Sequence, residues 1–588
     1  MASNTTRPPN WKSQAPTPIP GETFAAQTSL PRLPVPPLVQ TLDKLTSTLR
    51  PIAYSAEEFQ EVKQKILELG KAGGFGETLQ KRLEQRASER EHWLEEWWDD
   101  GGYLGYRDSV RKDDPGFESM TTKEYLGRRE YGFKSQPVQH LHPALHRAAS
   151  LVRASMLFRQ QFKLGKVPPE RTRDGPLCMD TWRWMFDCCR IPGLGGLDWS
   201  VTYAKPGDEG TSGHVVVLRK GRFWKLEPWI DGRLLSVPEL EKYIFSQTSI
   251  YHNFDDYALL AEDPKNASIL TTIHSAAFVL CLDTEQPSSL VEHSRALWHG
   301  SVTRPKSEGK VVLGLRNRWV DKPVQFIVFD NGEAGIMGEH SVMDGTPTVA
   351  LCDAVLDMIA SPELSSSEIK TNAEVTLPQP LDWIILPATT KAIETAETAA
   401  LSLIESQEMG IVRTSYGKKA IKAFGVSPDS WAQMIVQLAY ARLVRSLGQE
   451  RQGGTYEAAT TRRFFKGRTE AIRVVSEESD RWVASMDEGG VSAEERKKLL
   501  KEAVKKHGDW ARMAGSGLGI DRHMLGLKLS LKDGEELPAL YSDPVFKRSS
   551  NWVLSTSAIF SKHFGPYGWG EVVPEGFGVA YMTGFDGE

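Results

Sequence analysis

The stretch VQFIVFDNGEAGIMGEHSVMDG, residues 324–345, decides how this chain folds around its chemistry. Two apolar runs flank Asn331-Gly332, and an Asn-Gly pair between apolar runs is a strong signal for a β-hairpin. The apolar residues from Val349 to Ile359 then recur with helical spacing. We therefore expect His340 to lie in a loop between the end of a strand and the start of a helix.

A histidine in such a loop can act as a general base, because its ordinary pKa of ~6.5 lies near neutral pH. Asp344, four residues later, is placed to fix the loop or the charge around it. From the residues alone, a structural role is the commoner outcome for a single histidine. The remaining histidines show no HExxH motif and no paired Cys/His spacing, so the sequence does not predict a metal site.

Strand and helix signals alternate along the rest of the chain without a regular repeat. Residues 215–226 form a second hairpin pattern, with Lys220-Gly221 at its turn. Cap residues mark further helices; they run from Ser55/Glu58 to Gly70, from Ser427/Pro428 to Gly448, and from Ser492/Glu495 to Gly508. The pattern predicts an α/β or mixed fold.

Composition excludes several classes of protein. The 588 residues include 71 basic and 76 acidic side chains, a net charge of −5 that gives no overall basic field for nucleic acid. The longest apolar run, residues 276–282, is far shorter than the ~20 residues of a membrane-spanning helix. Five cysteines without zinc spacing predict reduced thiols in an intracellular protein.

The first 38 residues hold nine of the 34 prolines. Proline fixes φ and removes a hydrogen-bond donor, so we expect residues 1–28 to be a Pro-rich disordered tail. The alternatives are a strap laid over the domain surface, an SH3-type ligand and a mitochondrial targeting segment. Pro8, Pro9 and Pro16 argue against targeting, because they break the amphipathic helix that such a signal uses.

Several segments, in a fixed order, carry a family resemblance. His-x-x-x-Asp-Gly at His340 resembles the motif of CoA-dependent acyltransferases of the chloramphenicol acetyltransferase type, and NRWVDKPVQFIV before it resembles carnitine/choline acyltransferases. The further matching segments are LPRLPVPPL, WLEEWWDDGGYLGYR, DCCRIPG, YGKKAIKAFGVSPDSW, QLAYARL, GTYEAATTRRFFKGRTEAIR, DRHMLGLKL and LSTS. They extend from about residue 30 to 582, so the resemblance covers nearly the whole chain.

The resemblance implies an α/β fold of two chloramphenicol-acetyltransferase-like domains with an active-site tunnel at their interface. Residues 91–377 would form the catalytic-histidine domain. Residues 29–90 and 378–588 would form a discontinuous domain that binds CoA and carnitine. The implied activity is reversible acyl transfer between acyl-CoA and carnitine, with no acyl-enzyme.

The resemblance also implies roles for individual residues. His340 would be the general base, Ser557 the oxyanion donor, and Asp344 the support of the site. Lys418 and Lys422 would hold the 3′-phosphate of CoA, although most lysine pairs at this spacing form a solvated face.

Further matched positions concern the rest of CoA and carnitine. Asp429 would contact the pantetheine or support its turn. The carnitine carboxylate would be held by Tyr456, Thr469 and Arg522, and Ser555 would also bind carnitine. The trimethylammonium group prefers aromatic faces, for which the candidates are Trp98, Tyr103 and Trp569. Core packing is the alternative for these rings.

Arg522 favours carnitine over choline, because only carnitine carries a carboxylate. Ala458 and Ala471 replace hydroxyl residues of many carnitine enzymes, which leaves choline or another alcohol as an alternative acceptor. The chain ends soon after GFGVAYM, where the family continues with a strand and a helix. An inactive CoA-binding protein that lacks these elements is therefore a second alternative.

Three further expectations complete the sequence-based picture. Tyr567 would close the acyl pocket and favour short acyl groups. We expect a monomer whose substrates are carnitine and acyl-CoA, with no permanently bound cofactor, no nucleic-acid partner and no transmembrane segment. Without a peroxisomal ending, a cytoplasmic location is expected, with a mitochondrial one as the alternative.

Overall fold

A computed structural model describes residues 6–105, 128–134, 142–193, 196–245, 260–303, 312–365 and 377–587. It is a mixed α/β protein, as the sequence predicts. The strands, numbered in chain order, are β1 Arg128–Phe133, β2 Arg171–Thr172, β3 Gly175–Pro176, β4 Cys188–Ile191, β5 Trp199–Thr202, β6 Val215–Arg219, β7 Arg222–Leu226, β8 Trp229–Ile230, β9 Arg233–Leu234, β10 Val279–Asp283, β11 Val302–Thr303, β12 Val312–Leu313, β13 Gln325–Phe329, β14 Ala334–Glu339, β15 Gln379–Pro380, β16 Thr455–Thr460, β17 Thr469–Arg473, β18 Leu554–Ala558, β19 Phe564–Gly568 and β20 Phe577–Tyr581.

Helices pack around these strands. The α-helices are Leu38–Leu49, Ala56–Leu69, Phe75–Glu89, Glu95–Asp99, Pro143–Lys163, Val237–Phe245, Pro264–Ser275, Leu290–His299, Gly345–Ala360, Pro362–Ser365, Pro387–Glu405, Lys418–Ala423, Pro428–Ser446, Glu477–Asp487, Ala493–Gly515, Asp521–Leu529 and Pro544–Ser549. A π-helical turn, Asp100–Leu104, continues the helix Glu95–Asp99. Short 3₁₀ turns lie at Trp11–Gln14, Glu22–Phe24, Gln27–Ser29, Arg50–Ile52, Asp180–Trp184, Gly314–Asn317 and Ala539–Ser542.

Two sheets organise the chain. The larger has the strand order β15-β7-β6-β10-β13-β14-β1-β19, and the smaller has the order β17-β16-β18-β20. The larger sheet takes β15 and β19 from residues after 378, so strands cross the expected domain boundary. The N-terminal helices share a core with the helix Asp521–Leu529 and with Trp98 and Tyr103.

Both predicted hairpins are confirmed. β6 and β7 pair antiparallel around Lys220 and Gly221, which have φ angles of 50° and 71°. β13 and β14 pair antiparallel around the Asn-Gly turn, in which Gly332 has a φ of 84°. These left-handed conformations are typical of tight hairpin turns and favour glycine.

The cap signals also predict helix starts correctly. The hydroxyls of Ser55, Ser427 and Ser492 each accept a backbone N–H in the first turn of their helix. The predicted end at Gly508 is wrong, because the third helix continues to Gly515. Trp510 and Ala514 are buried beyond that glycine, and their burial outweighs its cost of ~1 kcal/mol within a helix.

The expectation of a disordered Pro-rich tail is wrong for residues 6–28. Trp11 is only 3% exposed and contacts the ring of Trp184, with centroids 5.2 Å apart. The backbone N–H groups of Ile19 and Thr23 donate to Lys163 and Gly165. Burial of a tryptophan together with these backbone hydrogen bonds orders a segment that local sequence alone would leave extended.

The state of the cysteines bears on the chemistry of the protein. All five cysteines are free and buried, and burial raises the pKa of Cys178 to about 11 and of Cys189 to about 12. Such thiols are poor nucleophiles at neutral pH.

Among the described residues, no helix combines the length and apolar character needed to cross a membrane.

Candidate active site

His340 is the first residue after β14, and Asp344 is the N-cap of the helix Gly345–Ala360. The predicted loop between strand and helix is therefore confirmed. The His340 ring is buried and stacks on Tyr103, with centroids 5.5 Å apart and planes 16° from parallel. Its Nδ1 lies 3.8 Å from Asp344 Oδ1, so the two groups interact through charge rather than a direct hydrogen bond.

Arg468, just before β17, holds the loop of His340 from one side. Its guanidinium donates to both carboxylate oxygens of Asp344 at 3.0–3.2 Å, and to the carbonyls of His340 and Ser341 at 3.0 and 2.7 Å. It also donates to Asp99 at 3.0 Å. Burial alone would lower the pKa of Arg468, but the combined interactions with Asp344, Tyr103 and Asp99 outweigh burial and raise it. The loop is thus fixed by a permanent buried cation.

Arg190, in the DCCRIPG segment, holds the same loop from the other side. It donates to Glu339 at 3.2 Å, to Asp198 at 2.9 Å and to the carbonyl of Tyr103 at 3.1 Å. Glu339 in turn accepts from the N–H and hydroxyl of Ser341 at 2.9 and 2.8 Å. Two arginine–carboxylate pairs therefore flank His340 and connect it with the backbone of Tyr103.

Arg522 belongs to the same chain of contacts. Its Nε and Nη2 donate to the carbonyl and hydroxyl of Thr469 at 3.1 and 3.3 Å. Its guanidinium lies 3.6 Å from the ring centroid of Trp98, and Trp98 contacts Tyr103 edge-on at 6.1 Å. The structure thus brings together six of the predicted residues, which are Trp98, Tyr103, His340, Asp344, Thr469 and Arg522. It also covers one face of Trp98 with Arg522.

The smaller sheet places Tyr456, Ser555 and Ser557 on one face. Tyr456 of β16 is in register with Ser555 of β18, and alternate residues of a strand point to the same side. Tyr456 is buried beside Trp552, with ring centroids 5.7 Å apart. Its hydroxyl is buried and finds no hydrogen-bond partner among the described residues. That hydroxyl is thus a donor positioned in the protein interior.

The opposite face of this sheet carries a buried polar network. Thr556 donates to the carbonyl of Tyr456 at 2.7 Å and accepts from Gln433 at 2.8 Å. The nitrogens of His507 lie 2.6 Å from Glu457 and 2.8 Å from Ser430. Burial lowers the pKa of His507, but the hydrogen bond with Glu457 and the negative charges of Glu457 and Asp429 together outweigh burial and raise it. The network supports the two strands from behind.

Asp429 lies in this supporting network. Its carboxylate accepts from the hydroxyl of Tyr581 at 2.7 Å. One carboxylate oxygen of Asp429, one of Glu457 and a ring nitrogen of His507 all lie within 4.8 Å of one another. The hydrogen bonds already described occupy the His507 nitrogens, so we interpret this group as support for the sheet rather than a metal centre.

Lys418 and Lys422 lie at the two ends of the short helix Lys418–Ala423, one turn apart. The ammonium of Lys418 donates to the carbonyl of Gly584 at 2.9 Å and pairs with Asp586 at 3.2 Å. Lys422 is exposed. The predicted pair therefore lies on one surface, with Lys418 held by the C-terminal segment.

Trp569 follows β19 and is half-buried. Its ring lies 5.7 Å from that of Tyr567, which stacks on Tyr131 at 5.7 Å. The hydroxyl of Tyr567 donates to the carbonyl of Ser557 at 2.5 Å. Tyr567 is thus fixed beside the strand that carries the predicted oxyanion donor.

Sequence reasoning missed Arg468, Arg190 and Asp99 as parts of the site. Arg468 stands next to Thr469 in a segment already recognised, and Arg190 lies in another. One signal was available for the two arginines. A guanidinium is always charged, so it needs carboxylate partners when it is buried. The sequence gives no indication of which carboxylates those partners are.

Comparison with known proteins identifies the family to which this chain is similar. The family described as Choline/Carnitine o-acyltransferase matches residues 33–587 of this chain. The mitochondrial carnitine O-acetyltransferase of Saccharomyces cerevisiae is 34% identical over 593 aligned positions, which cover 96% of this chain and 83% of the relative.

Two animal relatives show the same relationship. Carnitine O-acetyltransferase of Homo sapiens is 33% identical, over 95% of this chain and 88% of the relative. Peroxisomal carnitine O-octanoyltransferase of Bos taurus is 30% identical, over 91% of this chain and 87% of the relative. The chain therefore belongs to the choline/carnitine acyltransferase family and is an acyltransferase.

Proposed function

We propose that this enzyme transfers a short acyl group reversibly between CoA and carnitine, with His340 as the general base and without a permanently bound cofactor. One observation carries the proposal. The buried ring of His340 stacks on Tyr103, and Tyr103 contacts Trp98, whose face is covered by the guanidinium of Arg522. A base and a carboxylate-binding cation thus belong to one buried chain of contacts.

The proposed reaction needs a base and an oxyanion donor. His340 takes the proton from the carnitine hydroxyl as its oxygen attacks the thioester carbonyl carbon. The hydroxyl of Ser557 donates to the resulting oxyanion. When the intermediate collapses, the carbon–sulfur bond breaks and the CoA sulfur receives the proton from His340. The reverse reaction uses the same groups, with the CoA thiol as nucleophile.

We propose that the residues around His340 hold its loop in position. The Arg468–Asp344 and Arg190–Glu339 pairs flank the loop, and Arg468 donates to the carbonyl of His340 itself. A base held in position before substrate arrives saves the entropy of ordering it in the transition state. Asp344 also places a negative charge 3.8 Å from Nδ1, which stabilises the imidazolium that forms.

Carnitine recognition is assigned to Arg522, Thr469, Tyr456 and Ser555. Arg522 and Thr469 are already hydrogen-bonded to each other, so a carboxylate would meet a pre-formed cationic site. Trp98 was predicted to face the trimethylammonium group, but one face of its ring is covered by Arg522. We therefore assign to Trp98 the positioning of Arg522, and leave Tyr103 and Trp569 as the rings proposed for the ammonium group.

CoA recognition is assigned to Lys418 and Lys422, which lie one helical turn apart on the surface. Binding of the 3′-phosphate would replace the contact between Lys418 and Asp586 by a contact with a more highly charged group. For Asp429 we propose support rather than pantetheine binding, because its carboxylate accepts from Tyr581.

A thiol-release assay tests the substrate and the base. Acetyl-CoA is supplied with carnitine, with choline, or with no acceptor, and we expect release only with carnitine. His340→Ala should lower the rate to a few per cent of the wild type or less, since general base catalysis contributes about 10²–10⁴-fold. Rapid turnover by His340→Ala would contradict the assignment of the base. Release with choline but not carnitine would support the alternative acceptor, and no release would support the inactive CoA-binding alternative.

The CoA site is tested by comparing CoA with dephospho-CoA. The double variant Lys418→Ala/Lys422→Ala should raise KM for acetyl-CoA and leave KM for acetyl-dephospho-CoA nearly unchanged. Equal losses with both substrates would show that these lysines do not bind the 3′-phosphate.

We assign to Tyr567 the selection of acyl-chain length. Its hydroxyl donates to the carbonyl of Ser557, which fixes the ring. A fixed tyrosine beside the oxyanion strand would fill the space that a longer acyl chain needs. We expect Tyr567→Gly to increase the rate with octanoyl-CoA relative to acetyl-CoA. An unchanged ratio of the two rates would place the acyl chain elsewhere.

The cellular compartment and the oligomeric state remain predictions. The name of the yeast relative gives a mitochondrial location and that of the bovine relative a peroxisomal one. We therefore favour the mitochondrial alternative over the cytoplasmic expectation, and fractionation of cells that express the full chain decides between them. Sedimentation of the purified protein tests the expected monomer.

A further inference from the structure

The N-terminal segment of residues 7–15 lies over the helix Glu95–Asp99. Trp11 is buried against Trp184, and Arg183 donates to the carbonyl of Ala15 at 2.6 Å. These residues precede the part of the chain that matches the family, which begins at residue 33. The family match therefore does not include this segment.

Lys12 carries the charge of this segment into the protein. Its ammonium pairs with Glu95 at 2.8 Å and with Asp99, whose side chain is 2% exposed. Burial would lower the pKa of Lys12, but attraction by Asp99 and Glu95 outweighs burial and raises it. Lys12 is consequently a cation at neutral pH.

Asp99 connects Lys12 with the active-site loop. Its other carboxylate oxygen accepts from Arg468, the residue that holds Asp344 and the carbonyl of His340. Asp99 thus lies between two cations, one from the N-terminal segment and one from the loop before β17. Without Lys12, the negative charge of Asp99 would attract Arg468 alone.

The helix that carries Asp99 also carries the ring next to the base. Trp98 lies beneath Arg522, and the following π-helical turn presents Tyr103 to His340. Lys12 and Arg7 pair with Asp99 and Asp100 at the junction of these two elements. A shift of this junction would move both the aromatic contact of His340 and the support of Arg522.

We propose that Lys12 is a positioning residue for acyl transfer, acting on His340 through Asp99 and Arg468. The inference rests on the proposed role of His340 as the base. Lys12 touches neither substrate in this scheme. Its loss should therefore lower kcat while KM for acetyl-CoA changes little.

The test compares Lys12→Met with a matched lysine elsewhere. Lys65 pairs with Asp543 at 2.6 Å, and their side chains are 33% and 2% exposed, close to the 28% and 2% of Lys12 and Asp99. Lys65→Met thus breaks an ion pair of similar exposure, with Asp543, away from His340. Each variant is assayed with acetyl-CoA and carnitine, well below its own unfolding temperature.

We expect Lys12→Met to lower kcat about tenfold, less than the ~100-fold that a 1 Å misplacement of reacting groups can cost. Lys12→Arg should restore most of the rate, and Lys65→Met should keep kcat within about twofold of the wild type. In the Asp99→Asn background, Lys12→Met should have little further effect, because the two residues act in one path. If Lys12→Met does not fold, Lys12→Gln, which keeps a hydrogen-bond donor for Asp99, replaces it.

Three results would overturn the inference: an unchanged kcat in Lys12→Met, an equal loss in Lys65→Met, or independent effects of Lys12→Met and Asp99→Asn. Failure of the proposed function is recognised separately. In that case His340→Ala itself would retain activity, whatever the behaviour of Lys12.

Discussion

Glu470 offers a test of the electrostatics beside the proposed carnitine site. It lies in β17, is 3% exposed, and accepts from the N–H groups of Ala471 at 2.7 Å and Arg522 at 3.3 Å. Burial raises the pKa of Glu470 to about 7 from its usual 4.5, although attraction by Arg522 opposes the rise. The charged form is therefore disfavoured in the folded protein.

The sign of the pH effect follows from this shift. Between pH 4.5 and about 7 the unfolded chain loses the proton of Glu470 while the folded protein keeps it. The folded state then binds more protons, so this residue makes the free energy of unfolding fall as the pH rises through that window. A shift from 4.5 to about 7 corresponds to about 3 kcal/mol at most, at roughly 1.4 kcal/mol per pH unit.

Glu470→Gln removes the titration and keeps an oxygen that can accept from both N–H groups. We expect the variant to match the wild type near pH 5 and to be more stable at pH 8 by up to about 3 kcal/mol. For a chain of this size that free energy corresponds to a rise in Tm of ~2–3 °C. The assay is Tm measured from pH 5 to 8.5 at constant ionic strength.

The matched control is Glu61→Gln, on the exposed face of the helix Ala56–Leu69. It should leave the dependence of Tm on pH unchanged. If Glu470→Gln and the wild type showed the same slope of Tm against pH, the reasoning about Glu470 would be refuted.

Further predictions concern the residues around His340. Tyr456→Phe removes a buried hydroxyl without a partner among the described residues, so Tm should stay level or rise while KM for carnitine increases; a lower Tm with an unchanged KM would contradict the assigned role. Arg468→Met removes the cation of Asp344 and one of the two cations of Asp99, and it should cost ~3–5 kcal/mol, a fall of ~2–4 °C in Tm, together with most of the activity; calorimetry and the thiol-release assay measure both, and normal stability would argue against the pairing. Arg522→Lys loses the planar contact with Trp98 and a hydrogen bond to Thr469, so KM for carnitine should rise about tenfold or more; an unchanged KM would remove Arg522 from the carboxylate site.

Local elements could be predicted from the sequence because short-range rules determine them. The Asn-Gly pair at residues 331–332 predicts a hairpin by its backbone preferences, and Ser427 predicts a helix start by its hydroxyl. The loop position of His340 follows from the hairpin signal before it and from the helical spacing of the apolar residues after it. The end of the helix Ala493–Gly515 was mispredicted because distant packing of Trp510 outweighs the local effect of Gly508.

Long-range partners could not be predicted in this way. Arg468 holds Asp344 across 124 positions of sequence, and Asp99 across 369. A charged side chain indicates that it needs a counterion, but only the folded chain selects which one. The same limit applies to Trp98, whose aromatic character was recognised while its cation, Arg522, was not.

The sequence by itself therefore determined the mixed α/β class, the hairpins, the position of His340 and, through its ordered motifs, the family. The tertiary structure decided which charges meet around His340 and that residues 6–28 pack as an ordered strap. The physical reason is the range of the forces involved. Turn, cap and alternation patterns act within a few residues, whereas burial and ion pairing depend on segments that only folding brings together.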